Sequence, residues 1–176
     1  MTVRRLVPAD APAYRALMLE AYTLHPDAFT SSVAERAALP LTWWEARLDT
    51  NAQASSVVFG AFHEGALAGV AGLSFETRDK ALHKAKLFGM VVRPEHRMRG
   101  FGAALVSAVL AHARTREGVR LVQLTVTEGN AAAQRLYARF GFVPFGLEPL
   151  AVAVGEEHVA KVHMWCDLRQ LASSFP

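Results

Sequence analysis

The stretch Lys86–His112, KLFGMVVRPEHRMRGFGAALVSAVLAH, decides how the rest of the chain is read. Its apolar first part, through Val92, has the composition of a buried strand, and Pro94 forbids simple continuation. A basic, glycine-containing turn follows, and an alanine-rich helix is expected from about Gly100. A helix start leaves its first amide N–H groups without internal partners, and the helix dipole adds partial positive charge there. Such a turn is a seat for phosphate. Gly100 and Gly102 let an anion approach the backbone, and Arg93, Arg97 and Arg99 supply forked cationic donors beside it.

The bulk properties limit what surrounds this stretch. At 176 residues, with 52% hydrophobic and 20% charged residues, the chain suits one compact mixed α+β domain. No apolar run approaches the ~20 residues of a membrane span. MTVRRLVPAD lacks the apolar segment of a secretory leader, and the lone Cys166 has no disulfide partner, so a cytoplasmic protein is expected. The formal charge of +3 is mild despite a sequence pI near 9.4. Its densest basic cluster is the short Arg93–Arg99 loop, which suits one polyphosphate better than a duplex. Nucleic acid and membrane are therefore not expected as partners.

Periodicity sets out the remaining elements. Thr2–Val7 reads as a strand, and Asp10 is a candidate cap for a helix carrying Tyr14, Leu17, Met18, Ala21 and Tyr22. Ser31–Ala38 and Leu41–Asn51 suggest short helices separated by Pro40. Ser55–His63 and Ala66–Phe75 flank a Glu64-Gly65 turn as a hairpin. Ala85–Val92 forms the fourth strand and Gly100–Glu117 the long helix, stopped by Gly118. Val119–Thr127 gives a fifth strand. Asn130 caps a helix whose Ala133, Leu136, Tyr137 and Phe140 share one face. Phe142–Val154 and His158–Leu168 form a final antiparallel pair.

Two common nucleotide motifs fail on named residues. The dinucleotide fingerprint wants a third glycine where Leu105 stands and an acid where Arg120 stands. The Gly-Lys-Ser/Thr of a P-loop is absent. What does fit is Arg97-Met98-Arg99-Gly100-Phe101-Gly102-Ala103 after Val92-Arg93-Pro94, followed by Asn130-Ala131-Ala132-Ala133, Leu136-Tyr137 and Phe140-Gly141-Phe142. These two blocks, in this order, resemble the signature of the GNAT acetyltransferase superfamily, and the element order is similar along almost the whole chain.

The resemblance implies an α/β/α sandwich-like α+β fold. It would have a mixed, mostly antiparallel sheet of about seven strands, splayed between strands 4 and 5, and about four helices. Residues 1–168 would be one acetyltransferase domain and 169–176 a tail. It implies acetyl-CoA as co-substrate and direct attack by a primary amine in a ternary complex. The amides of Met98, Arg99, Gly100, Phe101, Gly102 and Ala103 would hold pyrophosphate, and Arg97 would be a further cofactor-binding residue. Met90, Val91 and Val92 would pair with the pantetheine arm, and an amide near Met90 would polarise the thioester carbonyl. Asn130 would cap its helix and touch the cofactor. Tyr137 would be the general acid for the departing thiolate; as a residue it is also a core aromatic. Gly89 fits either a bulge or a packing position.

The general base is unassigned. Lys86 and Thr125 occupy positions where many relatives of this resemblance carry glutamate, while Glu76, His83 and Glu128 sit near strand ends that could border a cleft. Trp43 and Trp44 either line the acceptor pocket or pack a helix on the sheet. Seven histidines show no metal-ligand spacing, so no metal is expected. A non-catalytic acyl-CoA-binding sensor is the alternative function. Monomer and homodimer are both compatible with the sequence, which does not name the acceptor.

Overall fold

The computed structural model describes residues 1–170. In chain order the elements are β1 (Thr2–Arg5), α1 (Ala11–Leu24), α2 (Val33–Ala37), α3 (Leu41–Ala46), β2 (Ser56–His63), β3 (Ala66–Phe75), β4 (Lys84–Val92), α4 (Phe101–Thr115), β5 (Leu121–Thr127), α5 (Ala131–Ala138), β6 (Val143–Val154) and β7 (Glu157–Asp167). The strands form one sheet in the order β1-β2-β3-β4-β5-β7-β6, and only β4 and β5 run parallel. That is the expected fold, with five α-helices rather than about four because both short segments around Pro40 are helical. Most of the expected tail, from residue 171 onward, lies outside the described residues.

Each face of the sheet is covered, which is why strands 2 and 3 are almost continuously apolar. Consecutive residues go to opposite sides: Val57 packs with Leu105, Val109 and the α4 stripe, whereas Val58 packs with Leu17, Met18 and Trp44. Thus α4 and α5 cover one face and α1 to α3 the other. Trp44 is fully buried and meets Tyr14 edge-on, with ring centroids 5.5 Å apart. Of the two readings for the tryptophan pair, core packing holds for Trp44.

Local chemistry moves some boundaries. Asp10 does not cap α1; its carboxylate takes two hydrogen bonds from Arg4, at 2.7 and 2.8 Å, and one from the Val7 amide. A bidentate arginine pair outcompetes a single capping bond. Ser32 and Glu35 form a reciprocal capping box that starts α2. Asn130 does cap α5, accepting from the Ala133 amide at 3.1 Å.

Candidate active site

The site begins as a defect in the sheet. Strand β4 pairs with β5 only at Lys84–Leu121, Ala85–Val122 and Lys86–Gln123, whereas β5 stays paired with β7 as far as Thr127–Lys161. The cause lies on the other side of β4. Val70 pairs with Val91 and Gly72 with Phe88, so Gly89 and Met90 together oppose Ala71. Gly89 has φ +59°, the left-handed conformation that glycine adopts without penalty. This is a β-bulge; it bends the strand and leaves one residue outside the ladder. A cleft of about 260 Å³ opens between Phe88, Gly89 and Met90 on one wall and Thr125, Val126 and Thr127 on the other.

Past Val92 the chain makes a 3₁₀ turn at Pro94–His96 and reaches the arginine-glycine turn. Met98 and Gly100 have φ of +58° and +83°, which folds the backbone back on itself before α4. The first α4 amide to reach a carbonyl is that of Ala104, 3.0 Å from Gly100 O, so those before it are the donors a helix start leaves free. The three arginines here have different jobs. Arg93 is tied to the carboxylate of Glu20 and the Leu67 carbonyl. Arg97 donates to the Val92 carbonyl at 3.0 Å and to His25 Nε2 at 2.7 Å, which requires that nitrogen to be the unprotonated one. Arg99 remains exposed, 3.4 Å from His96 Nδ1 and with its guanidinium 6.0 Å from the centre of the Phe101 ring.

Gly102 serves a purpose beyond anion approach. A Cβ there would stand 3.1 Å from Leu136 and 3.3 Å from Met90. Its absence lets α5 come close to α4 and β4, and α5 carries Tyr137. The Tyr137 ring meets Phe142 edge-on at 5.7 Å, and it lines the cleft while almost completely buried. Burial pushes its phenol well above the ordinary value of 10.0. It is therefore held neutral with its proton in place. Phe101 points into the core, so only its backbone is available to a ligand.

Lys86 and Thr125 both line the cleft, and no Asp or Glu among the described residues does. Glu76, His83 and Glu128 are not part of its lining; Glu76 forms a surface pair with Arg78 at 3.5 Å. Among the described residues no cluster of potential metal ligands occurs, and His163 instead pairs with Glu148 at 2.7 Å. Cys166 is buried in the core, and burial pushes its thiol up to about 12.

Sequence reading missed the remaining wall. Tyr22, Phe29, Arg36 and Arg47 enter the cleft from the helical side. Lys161, buried on β7, donates to Asp27 O at 2.8 Å, Ala28 O at 3.1 Å and Thr127 Oγ1 at 2.8 Å, using all three ammonium protons. It fastens the loop after α1 across the cleft to the far half of the sheet. The available signal for Lys161 was an ammonium placed among the alternating apolar residues of a last strand. The arginines lie on short helices with no periodic signal.

Comparison with known proteins agrees with this architecture. The Acetyltransferase (GNAT) family model matches residues 18–142, and the chain belongs to that family. It is 30% identical over 144 residues to a mycothiol acetyltransferase of Salinispora arenicola, covering 81% of this chain and 44% of that protein. The chain thus spans under half the length of the curated relatives it matches. A GNAT-family acetyltransferase from Streptococcus pneumoniae superposes with a TM-score of 0.83 at 26% identity, covering 94% of this chain and 98% of that one. The Salmonella typhimurium protein yncA, solved with its cofactor acetyl-CoA, has the same fold, with a TM-score of 0.78, 23% identity and coverages of 96% and 94%.

Proposed function

We propose that this chain, as one domain over residues 1–168, is a cytoplasmic acetyl-CoA-dependent N-acetyltransferase that acts on a primary amine in a ternary complex. The observation that carries the reading is the open edge of β4 facing Tyr137 across the cleft, with the arginine-glycine turn at the strand's far end. Acetyl-CoA would supply an activated acetyl thioester. The Leu87–Val92 edge offers backbone groups to an extended arm, in the manner of strand addition. The free amides from Met98 to Ala103, together with Arg99, suit pyrophosphate. The bulge leaves an amide at Gly89 or Met90 available to a carbonyl oxygen.

Two proton movements must be handled. The buried Tyr137 phenol is positioned to give its proton to sulfur as the carbon–sulfur bond breaks, and to regain one from the solvent afterward. The attacking amine must arrive neutral. With Arg36, Arg47 and Lys86 lining the cleft and no carboxylate among its described lining, a bound ammonium meets like charge, which favours loss of its proton to water. A glutamate base is not required on this account. Thiol release from acetyl-CoA over a panel of amines tests the reading, with acetylated product identified by mass.

The missing carboxylate also favours a second reading, an acyl-CoA-binding sensor without transfer activity. Tight acetyl-CoA binding with no thiol release for any amine would select it. Absence of acetyl-CoA binding would sink both.

A further inference from the structure

Three cations converge on the part of the cleft away from the arginine-glycine turn. Among the described residues no Asp or Glu lines it, and the nearby Glu35 carboxylate, exposed and hydrogen-bonded by the Ser32 amide, exerts its charge on Arg36 from outside. Arg36 enters from α2, Arg47 from the end of α3 and Lys86 from β4. Both guanidinium groups lie 4.7 Å from the centre of the Trp43 ring, and Arg47 also lies 5.1 Å from that of Phe88. Trp43 therefore shapes the cleft from behind rather than lining it. Stacking fixes the plane of a guanidinium while leaving its edge N–H groups to a ligand.

The donors are incompletely used. Arg36 donates to Ser31 Oγ at 2.7 Å and is hydrogen-bonded with the Tyr22 hydroxyl, and its buried Nε has no partner. The Tyr22 hydroxyl stands against Arg36 and the Tyr14 hydroxyl against Arg47, but both are neutral groups held so by burial. None of the ion pairs among the described residues includes Arg36, Arg47 or Lys86. Asp27 and Glu148 exert their charge on Lys161 instead. Arg36 and Arg47 are half-buried and Lys86 is exposed. Half-buried guanidinium donors without a bidentate acceptor are costly, and an oxyanion ligand satisfies them with forked, charge-assisted bonds. Coenzyme A phosphate is a poor candidate for that anion: Lys86 is separated from Val92, where the turn begins, by about 20 Å of strand.

Given the transfer reaction proposed above, on which this rests, we propose that the acceptor is a small amine of the amino-acid type whose carboxylate is held by Arg36 and Arg47. Tyr22 and Phe29, packed edge-on at 4.8 Å, stand beside Phe88 as an apolar wall for its side chain. One carboxylate against three cations leaves the site net positive, so the amine is still driven toward its neutral form. Polycationic amines such as polyamines and aminoglycosides are repelled by the same charges.

The test uses the whole chain, acetyl-CoA and matched amines: L-leucine against L-leucinamide and isoamylamine, and L-phenylalanine against L-phenylalaninamide and phenethylamine. Thiol release is expected to give a kcat/KM at least about tenfold higher for the acids. The preference runs against intrinsic reactivity, because an amino amide is the weaker base and is more often neutral. Arg36→Met and Arg47→Met, which keep the aliphatic stem against Trp43, are expected to remove most of the preference, and the Arg→Lys variants to keep part of it. Melting curves identify any variant that fails to fold, and the lysine variants then decide. Equal or faster turnover of the amides and decarboxylated amines, or a preference that survives every substitution, overturns the proposal. If no amine releases thiol, the same compounds are titrated calorimetrically with coenzyme A present. Tighter binding of the acids then sustains the carboxylate site while the transfer reading falls, and equal binding overturns the site.

Discussion

The ammonium of Lys161 lies 2.8 Å from the hydroxyl oxygen of Thr127, and that hydroxyl donates to the carbonyl of Asp27 at 2.9 Å. Two strands of one half-sheet thereby hold a loop that grows out of the other half. The same loop brings Ala28, Phe29 and Ser31 into the cleft wall. Lys161→Met keeps the bulk and loses the fastening. Burial already disfavours the ammonium, so removing it recovers part of the lost hydrogen bonding. Stability should fall by roughly 1–2 kcal/mol in urea unfolding. The KM for the amine should rise several-fold while that for acetyl-CoA stays put. An equal rise in both would mean the loop does not belong to the acceptor side.

Tyr137→Phe retains the ring against Phe142 and deletes only the hydroxyl. Turnover is expected to drop about 10²-fold or more, with melting temperature and acetyl-CoA affinity close to the parent's. A thiol that needs no proton on leaving offers a control: a thioester with a more acidic thiol should be affected less. Parallel losses in binding and turnover would make Tyr137 a packing residue.

Arg99→Glu reverses the charge of the one arginine in the turn that is not tied to the backbone or to a carboxylate. Coenzyme A binding should weaken about tenfold at low salt, and the difference from the parent should shrink as salt is added. Dephospho and full-length coenzyme A measured side by side would show which phosphate is involved. A loss that ignores ionic strength counts against phosphate contact.

Alkaline solution should destabilise the fold by a calculable route. Burial raises Cys166 from 9.0 to about 12, and raises Tyr14, Tyr22 and Tyr137 above 10.0. These groups bind their protons more tightly folded than unfolded. Their contribution is whole below the unfolded values and is lost as pH rises toward the folded ones. The decline should start near pH 9 with the thiol and steepen near pH 10 with the phenols. At pH 12 the thiol contributes a loss of at most about 4 kcal/mol. Cys166→Ala should erase the first onset and leave the second, as read from denaturant midpoints across this range. An unchanged onset in the variant would show that Cys166 is not the group responsible.

What sequence could reveal divides along physical lines. Strands and helices that bury a face announce it by period, so the strand over Ser55–His63 was found where it was expected, and the stop of the long helix ahead of Gly118 followed from helix-end chemistry. The turn and Tyr137 were legible because their motif is local. Arg36 and Arg47, and their meeting with Lys86, were not, because the three come from three elements and meet only once α1 to α3 pack on the sheet. Gly102 was read as making room for an anion; that its missing Cβ also makes room for Leu136 was hidden, because the contact lies 34 positions along the chain. Asp10 looked like a cap because nothing local showed that Arg4 would claim it.

The break between β4 and β5 has a mechanical meaning as well as a chemical one. The sheet is two stiff plates, β1 to β4 and β5 to β7, welded by three residue pairs at one end and strapped by the Asp27–Ala28 crossing. A molecule lying along Leu87–Val92 would be the missing rung of that ladder. Loading the site would then be felt as rigidity by strands on both plates, far from any atom the ligand touches. Slower amide exchange in β5 and β7 on addition of coenzyme A would register it.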